Sequence, residues 1–318
     1  MCLYPRYIKN RKYIKNKKNG GDVPTPTDPR VLLVPVGCGN CMECRKQKAR
    51  QWQVRLHEEI RQNKTGQFVT LSFSDTALEE LGKNIEGLDG YNLDNEIATL
   101  ATRRFLERWR KKFKKSCRHW LVTELGQTNT ERIHLHGLLF TTEGIETIEE
   151  IWKYGHVYIG DYVNEKTINY IVKYISKTDQ LHKEYKSKVL TSPGIGKGYV
   201  DRLDAKNNRY KQDTNETYKT RNGIKLNLPI YYRNQIYTEE EREALWLEKL
   251  DKEVRWVNGI KIDISQGEEE YYAALEEARA KNQRLGYGDN TIDWERKRYE
   301  RTRRNIIKKG KILGKRKK

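Results

Sequence analysis

No stretch of this chain approaches the roughly 20 consecutive apolar residues that a membrane-spanning helix needs. The opening "MCLYPRYIKN" carries basic residues with no apolar run behind them, so neither a membrane anchor nor a secretory leader is expected, and the expected compartment is a cytosol. Cysteine is scarce, five among 318 residues, and a chain of this length buries enough core to need no disulfide framework. Acidic residues are in deficit. Against 44 Asp and Glu stand 63 Lys and Arg, a formal net charge of +19, which points to a polyanionic partner, nucleic acid first, rather than to a merely well-solvated surface. No internal repeat occurs, and "GIGKG" lacks the GK[ST] of a phosphate-binding P-loop, so no helicase engine is expected within the chain.

The positive charge is concentrated in "RYIKNRKYIKNKK" near the start and "RKRYERTRRNIIKKGKILGKRKK" at the end. Both are expected to be flexible arms that touch phosphates without reading sequence. Three regions are expected: residues 1–62 with the basic arm, the cysteine cluster and a first helix; 63–185 as the core; and 186–318 as a loop and helical extension ending in the basic tail.

Periodicity supplies the elements. "VLLVPVG" reads as a short strand, and Ala49, Trp52, Val54, Leu56 and Ile60 mark an amphipathic helix over 44–62. "QFVTLSFSD" alternates as a strand ended by Asp75, and Phe105, Trp109 and Phe113 recur at helical spacing in "IATLATRRFLERWRKKFKK". "HWLVTELG" and "RIHLHGLLF" form a hairpin across the turn-rich "QTNTE". The helix "IETIEEIWK", the strand "GHVYIGDYV" and the helix "KTINYIVKYISKT", capped by Asn164, follow. This order suits an α+β domain, an antiparallel sheet with helices packed on it. Beyond residue 185, "LTSPGIGKGYVD" reads as a loop, "NLPIYYRNQIY" as an extended aromatic piece, "TEEEREALWLEKLDKE" as a helix with a capping box from Thr238 to Glu241, and "EEEYYAALEEARAKNQ" as a further helix.

Within "ERIHLHGLLF", His134 and His136 share one strand face, roughly 7 Å apart along the chain. Ile133, Leu135 and Leu139 take the opposite face, and Gly137 allows a close backbone approach. A hairpin turn centred near Asn129 sets Glu124 opposite His134. Two imidazoles and a carboxylate then form an incomplete metal shell with open positions; the alternative is a polar strand face turned to water. In "NYIVKYISK", Tyr170 and Tyr174 are neighbours on one helix face, with Lys177 three residues on, while Ile171, Val172 and Ile175 bury the other side. A phenol titrates near pH 10 and needs help to act as a nucleophile, from a metal that polarises a phosphate and a lysine that balances charge; the alternative is an aromatic pair in the core. Cys38, Cys41 and Cys44 in "CGNCMEC", joined by Cys2, suit a structural Cys₄ zinc site, a metal-free thiol cluster or an iron–sulfur cluster, and Cys117 reads as a lone buried thiol.

Taken together, these motifs resemble those of the HUH endonucleases. "HLHG" is similar to their metal-binding histidine motif, "YIVKYISK" to the two-tyrosine motif of their rolling-circle replication initiators, and "FVTLSF" and "TELGQTNTERIHLHG" to the strands around them. "MCLYPRYIKN", "CGNCMECRKQKARQW" and "YYRNQIYTEEE" are similar to the gokushovirus-type initiators of microviruses, phages with circular single-stranded DNA. The resemblance implies a five-stranded antiparallel sheet flanked by helices and a helical carboxy-terminal extension. It implies Mg²⁺ or Mn²⁺ held by Glu124, His134 and His136, with Tyr170 and Tyr174 as nucleophiles and Lys177 beside the phosphate. The implied reaction nicks and rejoins origin single-stranded DNA through a tyrosine 5′-phosphate, in the host bacterial cytoplasm, with host DNA polymerase and helicase as partners. The competing expectation is a noncatalytic nucleic-acid-binding protein with a structural zinc site; an iron–sulfur enzyme is a third.

Overall fold

The computed structural model describes residues 1–126, 131–160, 162–178, 182, 185–211 and 213–290. The turn expected near Asn129 and the carboxy-terminal basic cluster lie outside the described residues. Strand β1 (Arg6–Lys9) pairs antiparallel with β2 (Leu33–Val36), and α1 (Met42–Gln62) follows. Then come β3 (Gly66–Leu71), α2 (Asp75–Gly82), α3 (Gly90–Phe113), β4 (Arg118–Leu125), β5 (Ile133–Phe140), α4 (Ile145–Trp152), β6 (Val157–Gly160), α5 (Glu165–Ile171), α6 (Lys173–Ser176) and β7 (Val189–Thr191). The remainder comprises α7 (Leu203–Lys206), the hairpin of β8 (Thr217–Lys219) and β9 (Lys225–Asn227), α8 (Ile230–Ile236), α9 (Glu239–Asp251), the hairpin of β10 (Val254–Val257) and β11 (Ile260–Asp263), and α10 (Glu269–Arg284). Two compact units emerge: one from Met1–Arg55 with Lys197–Asn290, the other from Leu56–Gly196, with the division falling inside α1.

The Leu56–Gly196 unit is built on a five-stranded sheet of order β6-β3-β5-β4-β7, antiparallel throughout and flanked by helices. Alternation decides its two faces. Val69, Leu71, Leu121, Ile133, Leu135 and Leu139 point into a core shared with Phe105 and Trp109 of α3 and Ile148, Ile151 and Trp152 of α4. Residues of the other parity, Thr70, Glu124, His134 and His136 among them, therefore line the opposite face. Helix α3 is tied down by its buried Glu96, paired with Lys188 at 3.2 Å. A salt bridge joins Glu59 to Arg118 of β4 through two hydrogen bonds of 2.5 and 2.7 Å.

Gly137 sits where β5 crosses close to β4. A Cβ there would lie 2.1 Å from the Trp120 carbonyl oxygen and 2.7 Å from Leu121 Cα, both backbone atoms that cannot move alone. Gly137→Ala is expected to cost at least about 2 kcal/mol, and thermal denaturation reads this as a drop of about 5 °C or more. An unchanged melting temperature would mean that the two strands are not this close.

Three expectations are corrected. The amino-terminal basic segment is not a flexible arm: Arg6–Lys9 is a paired strand, and Asn10 and Asn16 each cap a short 3₁₀ turn behind it. "NLPIYYRNQIY" is helical over Ile230–Ile236 rather than extended, because Tyr232 is buried among Tyr199 and Tyr218 and Pro229 opens the helix. The glycine-rich stretch after residue 185 is not all loop, since Val189–Thr191 is the fifth strand and Lys197–Asp201 a 3₁₀ helix. The Asn258-Gly259 turn of the β10–β11 hairpin, with φ of 49° and 89°, has the geometry that such pairs favour.

Two core histidines make the unit acid-sensitive. Burial holds both His57 and His119 below the usual histidine range; the Glu165 charge acts against this at His57, and a hydrogen bond to the Cys117 carbonyl acts against it at His119. In the unfolded chain these rings take up a proton near pH 6.5, whereas the folded protein resists it. Stability is therefore full above about pH 6.5 and declines as pH falls below it. Melting temperatures at pH 7.5 and 5.5 are expected to differ in that sense, and equal values would contradict it.

Candidate active site

The hairpin register sets Glu124 directly opposite His134, with His136 opposite Val122 on one side and Thr70 on the other. Three ligand atoms converge. Glu124 Oε2 lies 2.9 Å from His136 Nε2 and 3.3 Å from His134 Nε2, and one donor atom from each residue falls within 4.8 Å of the others. The far ring nitrogens are engaged elsewhere. His136 Nδ1 lies 3.0 Å from Thr70 Oγ1, and His134 Nδ1 lies 3.3 Å from the Arg132 carbonyl, which can accept its hydrogen. With hydrogen on both Nδ1 atoms, both Nε2 lone pairs face the carboxylate, the arrangement seen where histidine binds metal.

Burial resists ionisation of Glu124, but hydrogen bonds from His134 and His136 outweigh it and bring the carboxyl down to about 2. An anion is thus fixed between two neutral donors. The donor set, two imidazole nitrogens and one carboxylate oxygen with open positions, fits a divalent ion such as Mg²⁺ or Mn²⁺. Nothing in the geometry distinguishes these from other divalent ions.

The tyrosine helix lies against this face. Asn164 caps α5 with a capping box, and Ile168, Ile171, Val172 and Ile175 are buried beneath it. A break at Val172 separates α5 from α6, and Lys177 lies beyond the helix in extended backbone rather than on it. Lys177 nevertheless reaches the site, its Nζ 3.7 Å from Glu124 Oε1. The Tyr174 ring stacks on His136 with centroids 4.6 Å apart and planes 9° from parallel. Its hydroxyl donates to the Tyr170 hydroxyl at 2.6 Å. Tyr170 is half exposed and meets Phe68 edge-on. The two phenols are thus inequivalent. Burial pushes the Tyr174 phenol up, and the hydrogen bond to Tyr170 and the Glu124 charge push it further. Tyr170 presents its oxygen to solvent and spends no proton on its neighbour.

A cleft of about 420 Å³ opens over these groups, lined by Glu124, His134, Tyr170, Lys173, Tyr174 and Lys177. Every residue expected at the catalytic site is therefore brought to one place. Lys173, Thr70 and Phe68 were not expected there. Lys173 is three residues from Tyr170 and one from Tyr174, so helical spacing could have flagged it; Thr70 and Phe68 depend on the pairing of β3 with β5, which no local pattern reveals. Cys2, Cys38, Cys41 and Cys44 also converge, in the Met1–Arg55 and Lys197–Asn290 unit, with all four sulfurs within 4.8 Å of one another. Cys117 is a lone buried thiol, pushed up to about 12 by burial.

The family described as Replication-associated protein ORF2 matches residues 66–179, the stretch that holds the sheet site and both tyrosines. The chain is also 28% identical over 279 residues to the Replication-associated protein ORF2 of Spiroplasma virus 4, covering 76% of this chain and 82% of that protein. No solved structure matches. The similarities support a replication initiator of the rolling-circle kind.

Proposed function

We propose that this protein is a metal-dependent endonuclease and strand transferase that nicks and rejoins origin single-stranded DNA through a tyrosine 5′-phosphate. The observation that carries the reading is a pair of phenols joined at 2.6 Å, one stacked on a histidine of a two-histidine, one-carboxylate cluster. A merely structural aromatic pair would have no reason to share a cleft with such a cluster. The net charge of +19 favours a polyanionic substrate. The similarity to replication-associated proteins makes replication the process served, and the opening segment and cysteine motif extend this to a circular single-stranded phage genome.

A divalent ion held by Glu124, His134 and His136 supplies the positive charge that polarises the scissile phosphate. The chain's own residues do the rest. Thr70 and the Arg132 carbonyl fix the imidazole orientations. The Tyr170 oxygen attacks phosphorus, its proton passes to solvent, and Tyr174 donates a hydrogen bond that steadies the developing phenolate. The P–O3′ bond breaks, and the departing oxygen takes a proton to become the 3′ hydroxyl that a host polymerase extends. Lys177 balances negative charge beside Glu124. After one round the second phenol, Tyr174, attacks the regenerated junction, and the freed 3′ hydroxyl attacks the first phosphotyrosine to close the circle. Host helicase supplies unwinding.

The test is polarity of attachment. With Mn²⁺ and an origin oligonucleotide labelled at either end, the 3′-labelled fragment is expected to migrate with denatured protein while the 5′-labelled fragment is released with a free hydroxyl. Binding without any adduct, for every origin strand tried, would favour a noncatalytic nucleic-acid binder instead.

A further inference from the structure

The structure assigns a second, structural metal to this chain: one Zn²⁺ held by Cys2, Cys38, Cys41 and Cys44. Neither the sheet site nor the proposed chemistry uses these residues, and the inference does not rest on that reading.

The geometry suits one ion. Cys38 Sγ lies 3.9 Å from Cys44 Sγ, and Cys41 Sγ lies 3.9 Å from Cys2 Sγ. Tetrahedral zinc with bonds of about 2.3 Å spaces its sulfurs about 3.8 Å apart, whereas a disulfide closes to about 2.05 Å. An iron–sulfur cluster spreads its cysteines around two or four irons and needs a wider shell than one whose sulfurs all lie within 4.8 Å.

The surroundings are those of a thiolate site. Backbone N–H groups of Tyr4 and Cys38 donate to Cys2 Sγ at 3.3 and 3.2 Å. Those of Asn40 and Cys41 donate to Cys38 Sγ at 3.4 and 3.3 Å, and that of Cys44 donates to Cys41 Sγ at 3.5 Å. Such bonds stabilise sulfur anions and orient metal ligands. Gly39, at φ +80°, makes the turn that aims two of these donors. At Gly37 a Cβ would approach Cys44 Sγ to 3.1 Å, so the glycine leaves the sulfur its room.

Charge gives an independent indication. Arg45 is buried, its guanidinium lies over the Tyr287 ring, and no carboxylate pairs with it among the described residues. A buried cation needs a counter-charge. Zinc with four thiolates carries a net negative charge, and the cluster adjoins Arg45 in sequence.

The ion has structural work to do. The core around the cysteines is small: besides Cys38 and Cys41 it buries only Leu3, Met42, Val257, Ile262, Leu275 and Ala278. Small cores commonly need a metal or disulfide as reinforcement. Here the ion ties Cys2, at the start of the chain, to the first turn of α1 over the β10–β11 hairpin and α10.

The test uses the full chain, purified without added metal and dialysed against EDTA. Elemental analysis is expected to find about one zinc per chain. Replacement by Co²⁺ is expected to give the intense sulfur-to-cobalt charge-transfer band and visible bands of a tetrahedral thiolate site. Cys41→Ser is expected to lose the zinc, while Cys117→Ser and His134→Ala keep it. Should Cys41→Ser fail to fold, Cys2→Ser retains three ligands and is expected to yield its zinc to a chromogenic chelator at least about 10-fold faster than the parent chain. Zinc-free protein whose four thiols react freely and stay reactive after Zn²⁺ is added, or protein coloured by iron, would overturn the assignment.

Discussion

Tyr170→Phe is expected to reduce the first cleavage of an origin strand by at least about a thousandfold, the scale at which loss of a nucleophile leaves only residual positioning. Tyr174→Phe is expected to behave differently. It removes the donor of the 2.6 Å hydrogen bond but leaves the exposed phenol in place, so the first nick persists within about 10-fold, while the second cut and circle closure fail. The asymmetry follows from position. Tyr174 lies flat against His136 with its proton committed, and Tyr170 faces the cleft. Single-turnover rates on a labelled strand separate the two substitutions, and the double change should give no adduct. Equal losses in both single variants would mean that the phenols are interchangeable, and an adduct surviving the double change would remove both from the chemistry.

His136→Ala is expected to cost about as much in rate and little in binding. Its imidazole is both a ligand candidate and the surface on which Tyr174 stacks. Losing a metal's charge at a phosphate is worth several kcal/mol, about a thousandfold in rate at 4 kcal/mol. Binding to single-stranded DNA rests instead on positive charge spread along the chain and should fall by less than about 3-fold. Chelation of the parent protein should reproduce the rate loss, and Mn²⁺ should restore it in the parent but not in the variant. Parallel losses of cleavage, binding and melting temperature would make His136 a structural residue.

How far the sequence could anticipate this site depends on which interactions are local. Strand alternation alone sends His134 and His136 to one face and Leu135 to the other, and counting back through a hairpin pairs Glu124 with His134. Those relations need no knowledge of the rest of the fold. Helix spacing likewise brings Tyr170 beside Tyr174. It is symmetric, however, and cannot say which phenol is free; that difference arises from stacking across to β5, a tertiary contact. The place of Lys177 is legible only in part, because the helix ends before it and an extended backbone carries it to Glu124.

Elsewhere, short elements escape periodicity. Val189–Thr191 has three residues, too few for alternation to register, and becomes a strand because β4 offers it an edge. Ile230–Ile236 is rich in residues with a strand preference, and burial of Tyr232 overrides that preference. The basic amino-terminal segment reads as an arm because its charges are conspicuous, whereas its structure comes from pairing with Leu33–Val36, more than twenty residues away. The cysteines show the reverse: Cys38, Cys41 and Cys44 announce themselves by spacing, and only the return of the chain start completes the set with Cys2.

Mapping the covalent attachment tests the central claim most directly. Trypsin cuts after Lys166, Lys173 and Lys177, so Tyr170 falls in the peptide 167–173 and Tyr174 in the peptide 174–177. After one turnover with Mn²⁺ and a single-stranded origin oligonucleotide, nuclease trimming and mass spectrometry should find a nucleotide linked through its 5′ phosphate to Tyr170 in 167–173. Attachment to neither peptide, or to a residue away from the sheet site, would contradict the account.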